Sequence, residues 1–132
     1  MSEVPGDRSH YSTGNPFERS VGFSRALRVG QTVYTAGTLA SDADGKIHGA
    51  DCYAQCCYVF DKLAAVLEQA GSALDQVVKV VAYIVSIADA DGFSRAHAER
   101  LGEVKPVATC VVVSALFHPA ARVEIELVAV IP

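Results

Sequence analysis

Residues 77–85, Val-Val-Lys-Val-Val-Ala-Tyr-Ile-Val, form a nearly unbroken run of β-branched and aromatic side chains. Such a run reads as a strand covered on both faces, because a strand with one wet face alternates apolar with polar residues. It therefore needs other elements packed over it, and the flanking sequence provides them. Upstream, Asp51 suits a helix N-cap, since its carboxylate accepts from the free N–H groups of a first turn. Behind it Cys56, Phe60, Leu63, Leu67 and Ala70 recur at helical spacing on one face, and Gly71 ends the helix. Downstream, Asp91 caps a shorter helix that runs to Leu101 and stops at Gly102.

Four more strands complete the pattern. Residues 24–29 and 32–36 read as a hairpin across Gly30-Gln31, followed by a tight turn at Asp44-Gly45. Residues 107–115 and 123–131 are two further apolar strands. In the last, Val123, Ile125, Leu127 and Ala129 face one way while Glu124 and Glu126 face the other. The order ββαβαββ predicts the α+β class. Residues 1–20 are polar and punctuated by Pro5, Gly6, Gly14 and Pro16, and read as an irregular N-terminal arm. Residues 21–132 then form one domain, the number a chain of 132 residues ordinarily holds.

Composition narrows the function. With a net charge of -4 and 11 scattered basic residues there is no clustered phosphate-binding patch, which disfavours nucleic acid as a partner. No stretch approaches the roughly 20 apolar residues of a membrane span. The opening residues lack the apolar core of a secretory leader. Of the cysteines Cys52, Cys56, Cys57 and Cys110, the first three crowd into one helical stretch rather than framing disulfides, which points to the cytoplasm. That cluster lacks a second ligand pair, so Cys56 reads as a small hydrophobe and not as a zinc ligand. His97-Ala98-Glu99 with Pro106 and Cys110 echoes a zinc deaminase, but the two cysteines three apart are missing. No phosphate-cradling loop or nucleophile elbow occurs, so no metal and no cofactor is expected.

What remains is Glu124 and Glu126. Carboxylates at i and i+2 ordinarily mark a solvated strand face. On a strand this apolar, the second face is instead covered by another layer or another subunit. A covered carboxylate needs a partner, or its pKa rises and it exchanges protons.

Five blocks then fall in register: Val21-Gly22-Phe23-Ser24-Arg25-Ala26, Tyr34-Thr35-Ala36-Gly37, Val77-Val78-Lys79-Val80, Lys105-Pro106-Val107-Ala108-Thr109-Cys110 and Val123-Glu124-Ile125-Glu126. In order and spacing they resemble the Rid/YjgF family, also labelled endoribonuclease L-PSP. The resemblance implies a chorismate-mutase-like fold, with two helices on one sheet face, and a homotrimer with clefts between subunits. It implies a small-molecule ligand, such as an imine or enamine hydrolysed to a carbonyl compound and ammonia. In that reading a glutamate handles protons and an arginine grips the substrate carboxylate.

Carried over by position, Glu124 matches the motif glutamate and Cys110 the cysteine beyond the arginine. Phe23 stands where relatives have a cleft tyrosine, Ala36, beside Gly37, where they have serine, and His97 where they have asparagine. The arginine position is Ala108, and a methyl cannot replace a bidentate guanidinium. Loss of such a contact costs about 2–4 kcal/mol when desolvated, so ordinary 2-imino acid deamination is not expected. Arg25 and Lys105 are candidates for the lost charge, or plain surface cations. His97, four residues from Phe93 and from Leu101, lies on the inward helix face, either as a core histidine or as a cleft proton carrier beside Glu124. One expectation, which the sequence does not decide against the one that follows, is a hydrolase or deaminase with Glu124 as acid/base and His97 assisting. The next is a metabolite-binding trimer without turnover, and an endoribonuclease comes last.

Overall fold

The computed structural model describes residues 3–4 and 8–132. Strands β1 (Glu3–Val4), β2 (Arg8–Tyr11), β3 (Ala26–Val29), β4 (Thr32–Thr35), β5 (Val77–Ile84), β6 (Val107–Val112) and β7 (Val123–Val130) form one sheet in the order β1-β2-β3-β4-β7-β5-β6. Neighbours are antiparallel except β5 and β6, which run parallel and are joined through a helical crossover.

Helix α2 (Cys52–Gln69) forms where the apolar spacing requires, with Asp51 accepting from the Ala54 N–H at 2.8 Å. Gly71 closes it in the left-handed region, φ 90°, a conformation that strains any other residue. Cys56, Phe60, Leu63 and Leu67 are fully buried against β7, whose Val123, Ile125, Leu127 and Ala129 face the same core. Helix α3 (Ala90–Leu101) packs beside α2 and buries Phe93, Ala96 and Leu101. It starts earlier than expected. Asp89 stands at its N-cap, and its carboxylate takes the Arg122 Nη2 at 2.7 Å instead of capping; Asp91 lies within the first turn.

Two expectations are overturned. The stretch called an arm is structured: β2 pairs with β3, and helix α1 (Pro16–Val21) follows. Asn15 accepts from the Phe17 N–H at 2.9 Å, and Pro16 occupies the first helical position, where a missing N–H costs nothing. Pro5 and Gly6 lie outside the described residues. Secondly, β5 is covered on one face only. Val77, Val80, Ala82 and Ile84 are buried, whereas Val78 is 44% exposed and Lys79 is also exposed. β6 is exposed along its whole length despite its apolar sequence.

Candidate functional site

The sheet has a helix-covered face and an open face, and strict alternation on β7 puts Glu124 and Glu126 on the open one. Tyr83 stands opposite Glu124, and its hydroxyl donates to Glu126 Oε1 at 2.6 Å. Beside β7, the segment after β4 is pinned by two backbone bonds between Thr38 and Ile125, at 2.9 and 3.1 Å. That pairing lays Gly37 directly against Glu124. A Cβ built on Gly37 would come within 2.8 Å of the Glu124 carboxyl carbon, so only glycine leaves the carboxylate its place. Burial pushes the Glu124 pKa above the ordinary carboxylate value, Arg25 pulls it back, and Glu126 adds to the rise.

Arg25, 6% exposed, is the organising cation of this region. Its Nε donates to Glu18 Oε2 at 3.3 Å, and its Nη1 to the Gly37 carbonyl at 2.7 Å and to Thr38 Oγ1 at 3.2 Å. The guanidinium carbon sits 5.2 Å from the centre of the Phe23 ring, which is half-exposed. Glu18, 5% exposed, also accepts from Ser12 Oγ at 2.6 Å and Thr13 Oγ1 at 2.8 Å. Burial alone would raise its pKa, but these two hydroxyls and Arg25 together hold it below the usual range. Ala36 belongs to the same frame: its N–H donates to the Arg25 carbonyl and its own carbonyl accepts from Thr38 Oγ1, both at 2.9 Å.

The remaining candidates lie elsewhere. Ala108 pairs with Val80 and Cys110 with Ala82, and Val80 and Ala82 oppose Leu127 and Ile125 of β7. Directly opposed residues share a sheet face. Ala108 and Cys110 therefore belong to the helix side and are not brought to Glu124 within one chain. Lys105 is exposed on the turn into β6, in left-handed backbone with φ 55°. His97 is the clearest correction. Its ring packs 5.5 Å from Phe93 and 6.4 Å from Phe60, in the helix layer, on the opposite side of the sheet from Glu124. Its Nε2 is buried without a hydrogen-bond partner, and burial lowers its pKa, disfavouring the charged form a proton carrier uses. Of the cysteines, Cys52 and Cys56 are buried with their sulfurs 3.9 Å apart, which is packing within α2. Among the described residues no group of His, Cys, Asp and Glu is arranged to hold a metal ion.

Sequence reasoning missed Glu18, Thr38 and Tyr83. Asn15-Pro16, an N-cap residue followed by proline, was the available signal for α1 and hence for Glu18.

A single mixed sheet, two long helices on one face and a half-buried carboxylate on the other define an α+β domain of the Rid/YjgF type. The sequence profile described as Endoribonuclease L-PSP matches residues 13–131, and the chain belongs to that family. A RutC family protein of Pyrococcus abyssi is 35% identical over 95 residues, 71% of this chain and 75% of the relative. The crystal structure of a YjgF/YER057c/UK114 family member from Mycobacterium tuberculosis superposes with a TM-score of 0.86 at 36% identity, covering 94% of this chain and 99% of that one. A Rid family protein from Yersinia pestis, of unknown function, gives 0.83 at 28% identity, with 94% and 99% covered. A similar protein of Schizosaccharomyces pombe, 29% identical over 131 residues (98% of each chain), is mitochondrial. No helix among the described residues is long and apolar enough to cross a membrane.

Proposed function

We propose that the protein hydrolyses a small imine, enamine or related carbonyl metabolite that carries no carboxylate, at Glu124, in a cleft completed by another copy of the chain. The observation that carries this is Glu124 itself: a half-buried carboxyl with a raised pKa, placed by Gly37 and flanked by a fixed guanidinium. Such a group holds its proton to higher pH than a free carboxylate does, which suits it to proton exchange. As the acid it protonates the imine nitrogen; as the carboxylate it takes a proton from the water that attacks the imine carbon. The adduct then collapses to a carbonyl compound and ammonia. Arg25 is a positioning residue here, because its charge is matched by Glu18 and its Nη1 is held by the Gly37 carbonyl and Thr38 Oγ1. Ala108, at the position where relatives carry the arginine, offers no side-chain donor to anchor a carboxylate.

The oligomer is part of the same reading. Ala108 and Cys110 can meet Glu124 only across a subunit boundary, and β6, with Val107 68% and Val111 42% exposed on the open face, supplies an apolar surface for it. The family resemblance supports a homotrimer as that assembly. Four unpaired cysteines suit a reducing compartment such as the cytoplasm.

A second reading, ligand binding without turnover, is favoured by Ala108 alone. Ammonia release from small imines with and without a carboxylate, by wild type and by Glu124→Gln, decides between them. Release from the uncharged imine that disappears in the variant is the expected result. Equal release by the variant, or full activity on 2-iminopropionate relative to an arginine-bearing family member, would overturn it.

A further inference from the structure

A separate depression opens on the outer side of α2, lined by Thr13, Asn15, Ser41, Asp42, Tyr58 and Lys62, with a volume of about 240 Å³. That is below the usual range of about 300–1,000 Å³ for drug-sized ligands, so it suits a compound of few heavy atoms. The wall is built. Tyr58 stacks on His48 with ring centres 4.6 Å apart, and His48 Nε2 lies 2.8 Å from Asp42 Oδ2.

Lys62 is unlike the other lysines. Lys46, Lys79 and Lys105 are exposed, whereas Lys62 is half-buried. Its Nζ donates to the carbonyls of Ser41 at 2.6 Å and Leu39 at 2.9 Å, and more loosely to Ser41 Oγ at 3.4 Å. A neutral amine keeps the two short bonds and gives up the long one, which frees the lone pair. The amine is pushed down to about 8, first by burial and then by the Arg25 charge, with Glu18 and Asp42 opposing.

We propose that Lys62 is a covalent acceptor for small aldehydes or ketones in this second pocket, independent of Glu124. The amine nitrogen attacks the carbonyl carbon and the carbonyl π electrons move to oxygen, which takes up the proton that the nitrogen gives up, leaving a neutral carbinolamine. Loss of water then forms the C=N bond. Protonated, the imine keeps one N–H for the Ser41 carbonyl. Tyr58 offers an apolar wall to the carbon chain of the ligand, and the Thr13 and Ser41 hydroxyls flank the polar end.

The test is propanal with cyanoborohydride at pH 7.5, which reduces any imine to a stable secondary amine, followed by peptide mapping. Against an ordinary solvated lysine, Lys62 should label faster by roughly a hundredfold, from its larger neutral fraction. The chain's α-amine also reacts at this pH and is told apart by its peptide. Lys62→Arg should lose the internal adduct, and Glu124→Gln should label like wild type even where turnover is gone. Label spread evenly over Lys46, Lys79, Lys105 and Lys62 in wild type overturns the proposal whether or not the variant folds. So does an unchanged pattern in Lys62→Arg.

Discussion

Replacing Arg25 by methionine keeps an apolar stem of similar reach and deletes the charge. Glu18 is then left 5% exposed with only the hydroxyls of Ser12 and Thr13 and the distant Thr13 N–H, while the Gly37 carbonyl and Thr38 lose a donor. Breaking a buried ion pair from one side costs about 3–5 kcal/mol, and the surviving hydroxyl bonds place this case near the lower end, about 3 kcal/mol. For a chain of this length that lowers Tm by roughly 10 °C. Glu18→Gln added to Arg25→Met should recover at least about 1 kcal/mol, because the orphaned charge is gone. The pH dependence is the sharper check. The folded pKa of Glu18 lies below its ordinary 4.5, so the stabilisation is present above that pH and is lost as pH falls through the folded value. The deficit of Arg25→Met relative to wild type should therefore shrink as pH falls toward and through that folded value. Urea titrations at fixed protein concentration, at pH 7 and pH 3.5, measure both quantities. A deficit under about 1 kcal/mol at pH 7, or one equal at the two pH values, would refute the claim that this pair is desolvated and charged.

Two further outcomes follow from the open face. Gly37→Ala puts a methyl 2.8 Å from the Glu124 carboxyl carbon, and the flexible end of that side chain gives way. Calorimetry should show a loss of only about 0.5–1.5 kcal/mol, the cost of an off-rotamer side chain, while turnover falls at least about tenfold because the carboxylate is displaced. Light scattering should give a mass near three times the 13.9 kDa chain, and Val111→Lys on β6 should reduce it; a wild-type monomer at micromolar concentration defeats the shared cleft.

Periodicity made α2, its Asp51 cap and the two faces of β7 legible, because each rests on contacts a few residues apart. It placed His97 correctly on the inward side of α3. What spacing could not say is which layer that side meets, and it meets Phe60 of α2 and not the open face of the sheet. For β5 an unbroken apolar run reads as burial on both faces, but a sequence does not distinguish cover by its own chain from cover by another. Glu18 escaped notice because its importance comes from Arg25, seven residues away, and from a turn that folds Ser12 and Thr13 back over it.

The same ion pair bears on where the domain begins. Composition alone draws a boundary after residue 20, yet a chain trimmed there would lose α1 and the strand that pairs with β3. It would also strip the counter-ion from Arg25, and through Arg25 the anchor of the Gly37 carbonyl beside Glu124. The segment that looks most dispensable by composition is fastened to the one carboxylate that chemistry would use.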